Sequence, residues 1–155
     1  MRVARVATIY EMGYLDDVIS NEVAMQRDMD LIREILLKLE GIQLPPGAML
    51  IASVDEEELQ IPGRTPAEVA YHLGLIREHG FINAPGSQPM DGITFRGLTW
   101  QGHDFLDSVR DPAIWRDTKE GARKAGGFSV DVLVALAKGL IKKKIEDHTG
   151  VKLEF

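Results

Sequence analysis

Residues 65–68, Thr-Pro-Ala-Glu, constrain the fold of this chain more than any other segment, because they mark the start of a helix. A threonine followed three residues later by a glutamate forms a capping box, and a proline between them suits the first helical turn. Apolar residues then recur at helical spacing until Gly80, which supplies a C-cap. The sequence therefore predicts a helix over about 65–79, with its buried face on Val69, Leu73 and Ile76.

The segments on either side of this helix carry the signals of one helix and three strands. Asp28 as N-cap predicts a helix over 28–40, which the next glycine ends as a left-handed stop. The apolar run 49–54 predicts a strand. After the central helix, residues 81–84 and 92–96 predict two strands joined by a loop of turn-forming residues. We interpret these two strands as a wing.

Three more helices are predicted after the wing. Thr99 caps a helix that begins with the apolar Trp100, Asp111 before a proline starts a helix over 112–124, and Ser129 caps the last one. The apolar stripe of the last helix must be buried either on its own domain or across a homodimer. Its three successive lysines are predicted at the negative end of the helix dipole: Lys142, Lys143 and Lys144.

The predicted fold class is therefore α+β, a winged-helix-like domain (helix, strand, helix, two-stranded wing) with a C-terminal helical extension. The domain covers 25–110, and the helices over 111–147 pack on it or on a dimer partner. Residues 1–24 show no clear periodicity and are predicted as an N-terminal extension, while 148–155 form a tail. Either the extension is native or Met25 is the natural start.

Composition and charge exclude several classes of protein. Hydrophobic residues make up 45% of the chain and no cysteine is present, which indicates a globular protein without disulfides or thiol chemistry. No apolar run approaches the roughly 20 residues that a membrane span needs. Residues 28–63 hold a net charge of −6 and residues 119–148 a net charge of +3. With a pI of 5.2, the chain lacks the basic character of a dedicated nucleic-acid binder.

Four separated motifs carry a resemblance to a known family: Met25–Glu40, Glu68–Leu73, Gly80–Ile82 and Leu98–Asp107. In them the chain resembles a family of uncharacterised small proteins of phages and prophages, over roughly residues 25–145. The resemblance implies a winged-helix-like fold and a phage or prophage protein in the cytoplasm of a bacterial host cell. It carries over no catalytic residues, and residues 1–24 lie outside it.

The helix before the wing would read DNA in a winged-helix protein, so its outward face is informative. Steps of about 100° per residue place Tyr71 and Glu78 outward, with Glu68 and Leu75 on one shoulder. None of these four is basic, although phosphate contacts dominate DNA affinity. The cations near the helix and the wing are the candidate nucleic-acid-binding residues: Arg64, Arg77 and Arg96.

An outward aromatic residue between glutamates favours protein contact. We therefore expect a non-catalytic regulatory or inhibitory protein that binds a host or phage protein through Glu68, Tyr71, Leu75 and Glu78. The alternative is a transcription regulator that binds double-stranded DNA through Arg64, Arg77 and Arg96. A third interpretation leaves Tyr71 and Leu75 covered by the C-terminal helices.

The sequence predicts no enzyme, no metal site and no cofactor. It contains neither a nucleophile elbow nor a phosphate-binding glycine motif. His72 and His79 are two helical turns apart, too far for one ion, and are predicted as core, surface or capping residues. Asp28 and Asp30 are predicted as caps. Trp115 and Gly102 are predicted to serve packing.

Overall fold

The computed structural model describes residues 25–154, so the predicted extension 1–24 and the last residue of the tail lie outside the described residues. The described chain is α+β, as predicted, with five helices and four short strands. In chain order the elements are α1 (Met29–Gly41), β1 (Leu50–Ser53), α2 (Pro66–Glu78), β2 (Ile82–Asn83), β3 (Gly92–Phe95), β4 (Gly97–Leu98), α3 (Trp100–Val109), α4 (Pro112–Ala125) and α5 (Val130–Thr149).

Each described helix begins at the side-chain cap that the sequence predicts. The capping box of α2 is complete, because Thr65 Oγ1 accepts the Glu68 amide while the Glu68 carboxylate accepts the Thr65 amide at 2.8 Å. The other four helices begin after Asp28, Thr99, Asp111 and Ser129, whose side chains accept amides of the first turn. These local hydrogen bonds satisfy amides that a helix start otherwise leaves unpaired.

Two helix ends differ from the prediction. Gly41 is not a left-handed stop, because it is the last residue of α1 and the chain leaves in an extended conformation at Ile42. The lysines 142–144 do not lie at the end of α5, which continues to Thr149 before Gly150 ends it in the left-handed region. The last apolar residue of α1 is Leu39, so the apolar periodicity does not show whether the helix ends at Glu40 or at Gly41.

The predicted wing strands pair with other partners and not with each other. β3 pairs antiparallel with β1, from Leu50 opposite Phe95 to Ser53 opposite Gly92. β2 pairs antiparallel with β4, with Ile82 opposite Leu98. Between the two sheets the Arg96 amide donates to the Asn83 carbonyl at 2.9 Å. Residues 92–98 therefore form one extended run that holds β1 along its first half and β2 along its second half.

The core lies around α1, whose inner side chains pack against α2, α3 and β4. Leu31 and Leu36 are completely buried. Helix α5 packs on α3 and α4 of the same chain. At the crossing of β2 and α3, a Cβ on Gly102 would collide with the carbonyl oxygen of Phe81, so glycine is required for this close approach, as predicted.

Helix α4 is tied to α1 by a polar contact that the sequence did not predict. Asp30 was expected to cap α1, but its carboxylate accepts the Trp115 indole N–H at 2.6 Å and the Lys119 ammonium at 2.7 Å. Trp115 is buried, as predicted for a packing residue. No helix among the described residues is long and apolar enough to cross a membrane.

Replacing Thr118 by valine should stabilise the protein. Thr118 is completely buried in α4, and its Oγ1 has no hydrogen-bond partner within residues 25–154. Because an unpaired buried hydroxyl costs desolvation energy, Thr118→Val should raise the free energy of unfolding by about 1 kcal/mol in urea denaturation. The matched control Thr99→Val should lower it by about 1 kcal/mol, since Thr99 caps α3 and donates to the Gly80 carbonyl. A Thr118→Val variant that is less stable than wild type would contradict the conclusion that the buried hydroxyl is unpaired.

Candidate functional site

A cleft runs along one side of α2 and is the site that best fits the residues singled out by sequence. Its wider part, about 900 Å³, lies between α2 and the segment before α1, with Arg64, Glu68 and His72 in its lining. Its narrower part, about 240 Å³, continues along α2 past Leu75 and Glu78. Arg27 lines both parts, so they form one surface. We call it the α2 cleft.

Four polar residues close a ring at the wide end of the α2 cleft. The Asp28 amide donates to His72 Nε2 at 2.9 Å, while His72 Nδ1 lies 2.7 Å from the Glu68 carbonyl. Arg64 Nη2 contacts Asp28 Oδ2 at 2.7 Å, and Arg64 Nη1 lies 3.7 Å from Glu68 Oε1. The ring joins the N-terminal ends of α1 and α2.

The ring stabilises the charged form of its two carboxylates. His72 is buried; its Nε2 accepts the hydrogen bond of the Asp28 amide, and its Nδ1 faces the Glu68 carbonyl oxygen. Partial burial opposes ionisation of Asp28, but the Leu31 amide and the Arg64 guanidinium outweigh it and lower its pKa. Hydrogen bonds from Thr65 lower the pKa of Glu68. Both carboxylates are therefore held in the charged form.

Three of the four predicted partner-binding residues line the α2 cleft. Glu68 lies in its wide part, and Leu75 and Glu78 lie in its narrow part. Leu75 is half-buried and Glu78 is exposed. Tyr71 lines neither part; it is half-buried, and its ring meets that of His72 edge-on at 5.1 Å between centroids. Glu68 differs from the others because its carboxylate is engaged in the capping box.

The opposite wall of the α2 cleft comes from residues that sequence reasoning missed. Phe128, in the turn between α4 and α5, is 40% exposed, and its carbonyl accepts a hydrogen bond from Arg27 at 3.3 Å. Val130, at the start of α5, lines the narrow part. The C-terminal helices thus flank Leu75 without covering it completely. The signal that the sequence offered for Phe128 was a phenylalanine directly after two glycines.

The three predicted nucleic-acid-binding arginines do not come together. Arg64 is paired with Asp28 and Glu68 inside the ring. Arg77 lies in a separate cleft of about 370 Å³ between α2 and loop 84–91, on the other side of the helix. Arg96 is exposed between β3 and β4. Only Arg77 and Arg96 are available for phosphate contacts.

Trp100 is a surface residue, although the sequence analysis counted it among the apolar residues of its helix. Its side chain is 84% exposed, the most exposed large apolar side chain that the structure describes. The first turn of α3 is held against the C-terminal end of α2 by the hydrogen bond from Thr99 to the Gly80 carbonyl, at 2.6 Å. An exposed tryptophan is a frequent anchor of protein interfaces.

The histidines do not converge on one point. His72 belongs to the polar ring of the α2 cleft. The imidazole of His79 contacts the Phe81 ring edge-on, and His103 lies 3.4 Å from Glu40. Within residues 25–154, no group of three or more His, Asp or Glu side chains is arranged to hold a metal ion.

Comparison with known proteins gives a family but no described activity. The model of the family described as "Hypothetical protein (DUF2513)" matches residues 26–129. An "Uncharacterized protein" of Haemophilus influenzae is 32% identical over 124 residues, which covers 78% of this chain and 99% of that protein. No solved structure matches the chain. The matched range includes Arg27 and Phe128, so it contains residues from both walls of the α2 cleft.

The pH dependence of stability should change when Asp28 is replaced by asparagine. Asparagine can still cap α1, but it has no charge to pair with Arg64. The pKa of Asp28 is lowered from 3.8 in the folded state, so its stabilisation is complete above that value and is lost as pH falls through the folded pKa. In urea denaturation, the free energy of unfolding of wild type should exceed that of Asp28→Asn. The difference should be largest at about pH 7 and smallest at about pH 3.

Asp55→Asn is the matched control, because Asp55 is exposed and makes no ion pair among the described residues. Its stability should follow wild type at both pH values. A gap between wild type and Asp28→Asn that does not narrow in acid would contradict the role of the Asp28 charge.

Proposed function

The chain belongs to the DUF2513 family of hypothetical proteins, and we propose that it is a non-catalytic regulatory or inhibitory protein that acts by contact with another protein. The observation that carries the proposal is the narrow part of the α2 cleft, where Leu75 and Val130 lie beside the exposed Glu78. Protein interfaces combine an apolar centre with a polar rim in this way. We also propose a phage or prophage origin and a bacterial host protein as partner, because the motifs of this chain resemble those of small phage and prophage proteins.

The charges around the cleft support a partner of mixed chemistry. Arg27 on one wall and Glu78 on the other are both exposed and line the same narrow part. A partner would place an apolar side chain over Leu75 and would match these two opposite charges. Such complementarity provides specificity and register more than affinity.

Replacing Tyr71 by alanine together with Glu78 by lysine should abolish capture of the partner. Glu68 is left unchanged, since its removal would break the capping box of α2. The immobilised chain would be exposed to lysate of a bacterial host, and each captured protein would be quantified by mass spectrometry. We expect at least about tenfold less of the specific partner on the variant, because truncation of an interface hot spot costs about 2 kcal/mol or more and about 1.4 kcal/mol is a tenfold change in affinity.

The control pair is Val151→Ala with Glu154→Lys, which makes similar changes in the tail. It should capture the same protein as wild type, and all three chains should remain folded at the temperature of the assay. Equal capture by the Tyr71/Glu78 variant would remove the outward face of α2 from the proposal, with Glu78 in the α2 cleft and Tyr71 outside it.

A winged-helix DNA-binding regulator is the second candidate, favoured by one observation. β1 and β2 both pair with the extended run 92–98, and α2 lies between them in sequence, as in a winged-helix-like domain. In such a domain loop 84–91 would be the wing, and Arg77 lines a cleft together with residues of this loop. The engagement of Arg64 by two carboxylates weighs against this candidate, because it removes one of three cations.

Mobility shifts with mixed duplex DNA at several salt concentrations test the second candidate. If it is correct, retardation should weaken steeply with salt, and Arg77→Ala with Arg96→Ala should reduce the slope of log affinity against log salt by about 0.9 per lost phosphate contact. The control pair Arg116→Ala with Lys152→Ala should keep the slope. Absence of retardation at low salt would reject DNA binding.

A further inference from the structure

The outer edge of β1 presents unpaired main-chain groups. The Val54 amide donates to the Asp91 carbonyl at 2.8 Å, and Ala52 stands opposite Ile93 in the same register. Because hydrogen-bonded and non-hydrogen-bonded pairs alternate in an antiparallel ladder, Ile51 stands in a non-hydrogen-bonded pair with Thr94. The N–H and C=O of Ile51 therefore point away from β3, toward the outer edge.

The two edges of this small sheet differ in the hydrogen bonding of their outward main-chain groups. On the β3 side, the Thr94 amide donates to Gln88 Oε1 at 2.9 Å, and Thr94 Oγ1 donates to the Ser87 carbonyl at 3.3 Å. Loop 84–91 thus closes that edge with its own polar groups. On the β1 side, no other described strand pairs with Ile51. The open edge is therefore the outer edge of β1 at Ile51, because Glu56 engages the outward groups of Ser53: Glu56 Oε1 accepts the Ser53 amide at 3.1 Å, and the Glu56 amide donates to the Ser53 carbonyl at 3.0 Å.

The side chains at the open edge are apolar and accessible. Ile51 is 64% exposed and Met49 is 44% exposed. Natural proteins usually protect such an edge with a lysine, a proline or a bulge within the strand. Leu50–Ser53 contains neither a lysine nor a proline. Apart from its short length of four residues, the edge therefore has the properties of a template for strand addition.

An acidic segment follows the open edge directly. The four carboxylates of Asp55, Glu56, Glu57 and Glu58 are exposed, and none of them makes a salt bridge among residues 25–154. The whole segment 43–63 contains no lysine or arginine. A strand that extends past Ser53 would therefore meet four carboxylates, and the cation bound to this segment is Lys38, whose ammonium donates to the carbonyls of Glu57 and Gln60.

We propose that the outer edge of β1 binds an extended, basic segment of a partner protein by strand addition. The segment pairs its main chain with Ile51, packs apolar side chains on Ile51 and Met49, and places lysines or arginines against residues 55–58. A second copy of this chain fits less well, because its own edge segment supplies carboxylates and no cation. This surface lies outside the α2 cleft, so the inference does not depend on the function proposed above.

The test uses the full chain and a fluorescein-labelled probe peptide, Lys-Arg-Lys-Val-Thr-Val-Thr-Val. Antiparallel addition to β1 places the basic N-terminal half of this probe against residues 55–58. Its twin carries proline in place of the central valine and cannot donate the ladder hydrogen bond at that position. Fluorescence anisotropy should show saturable binding of the probe, at least about tenfold tighter than binding of the twin. Hydrogen exchange of the Ile51 amide should slow when the probe is bound.

Two variants separate the components of the proposed contact. Ile51→Lys should weaken probe binding at least about tenfold, whereas Val151→Lys, which adds a lysine at another exposed apolar position, should weaken it far less. The triple variant Asp55→Asn, Glu57→Gln and Glu58→Gln should weaken binding and remove most of its salt dependence. The Tyr71/Glu78 variant should bind the probe as wild type does.

Three results would overturn the proposal. The first is equal binding of the probe and its proline twin, which means that charge alone holds the peptide. The second is unchanged binding by Ile51→Lys or unchanged exchange at Ile51, which places the peptide elsewhere. The third is a dimer in sedimentation that Ile51→Lys dissociates, which makes the occupant a second copy of the chain.

Discussion

The polar ring at the start of α1 and α2 is the contact on which the candidate site depends. Asp28 caps α1 and at the same time contacts Arg64, while Glu68 caps α2 and provides the carbonyl that faces His72. Each hydrogen bond on its own contributes about 1 kcal/mol, but the ring joins two caps that are 40 residues apart in sequence. It thereby holds the starts of the two helices together, and its four residues line the wide part of the α2 cleft.

The same ring also affects what the protein can bind. Arg64 is the cation nearest the start of α2, where a DNA-reading helix needs positive charge, and its guanidinium is engaged by Asp28 and Glu68. Breaking those contacts to bind phosphate would leave two carboxylates without their cation beside the DNA. The electrostatics of this region therefore oppose a close approach of DNA to this helix.

Local signals in the sequence predicted the helices, whereas contacts between distant residues were not predictable. Caps such as Thr65 depend on three or four neighbouring residues, so their positions follow from the sequence. The Asp30–Trp115 hydrogen bond and the pairing of β1 with β3 depend on the packing of distant segments. Trp100 shows the same limit, because periodicity identifies an apolar residue without showing whether another element covers it. For the site, helical geometry predicted Glu78 outward and Leu75 on one shoulder of α2, and both line the α2 cleft, but it had no information about Arg27 or Phe128.

The arrangement of surfaces around α2 explains why one small chain has room for two contacts. One shoulder of the helix, with Leu75 and Glu78, faces the α2 cleft, and the other shoulder, with Gly74 and Arg77, faces loop 84–91. That loop also closes the free edge of β3 through Gln88, and it leaves the edge of β1 open on the far side of the sheet. A partner in the α2 cleft would therefore not cover Ile51. A protein that regulates by binding gains from such separation, because one surface can hold a partner while the other engages a mobile segment of the same partner or of a second one.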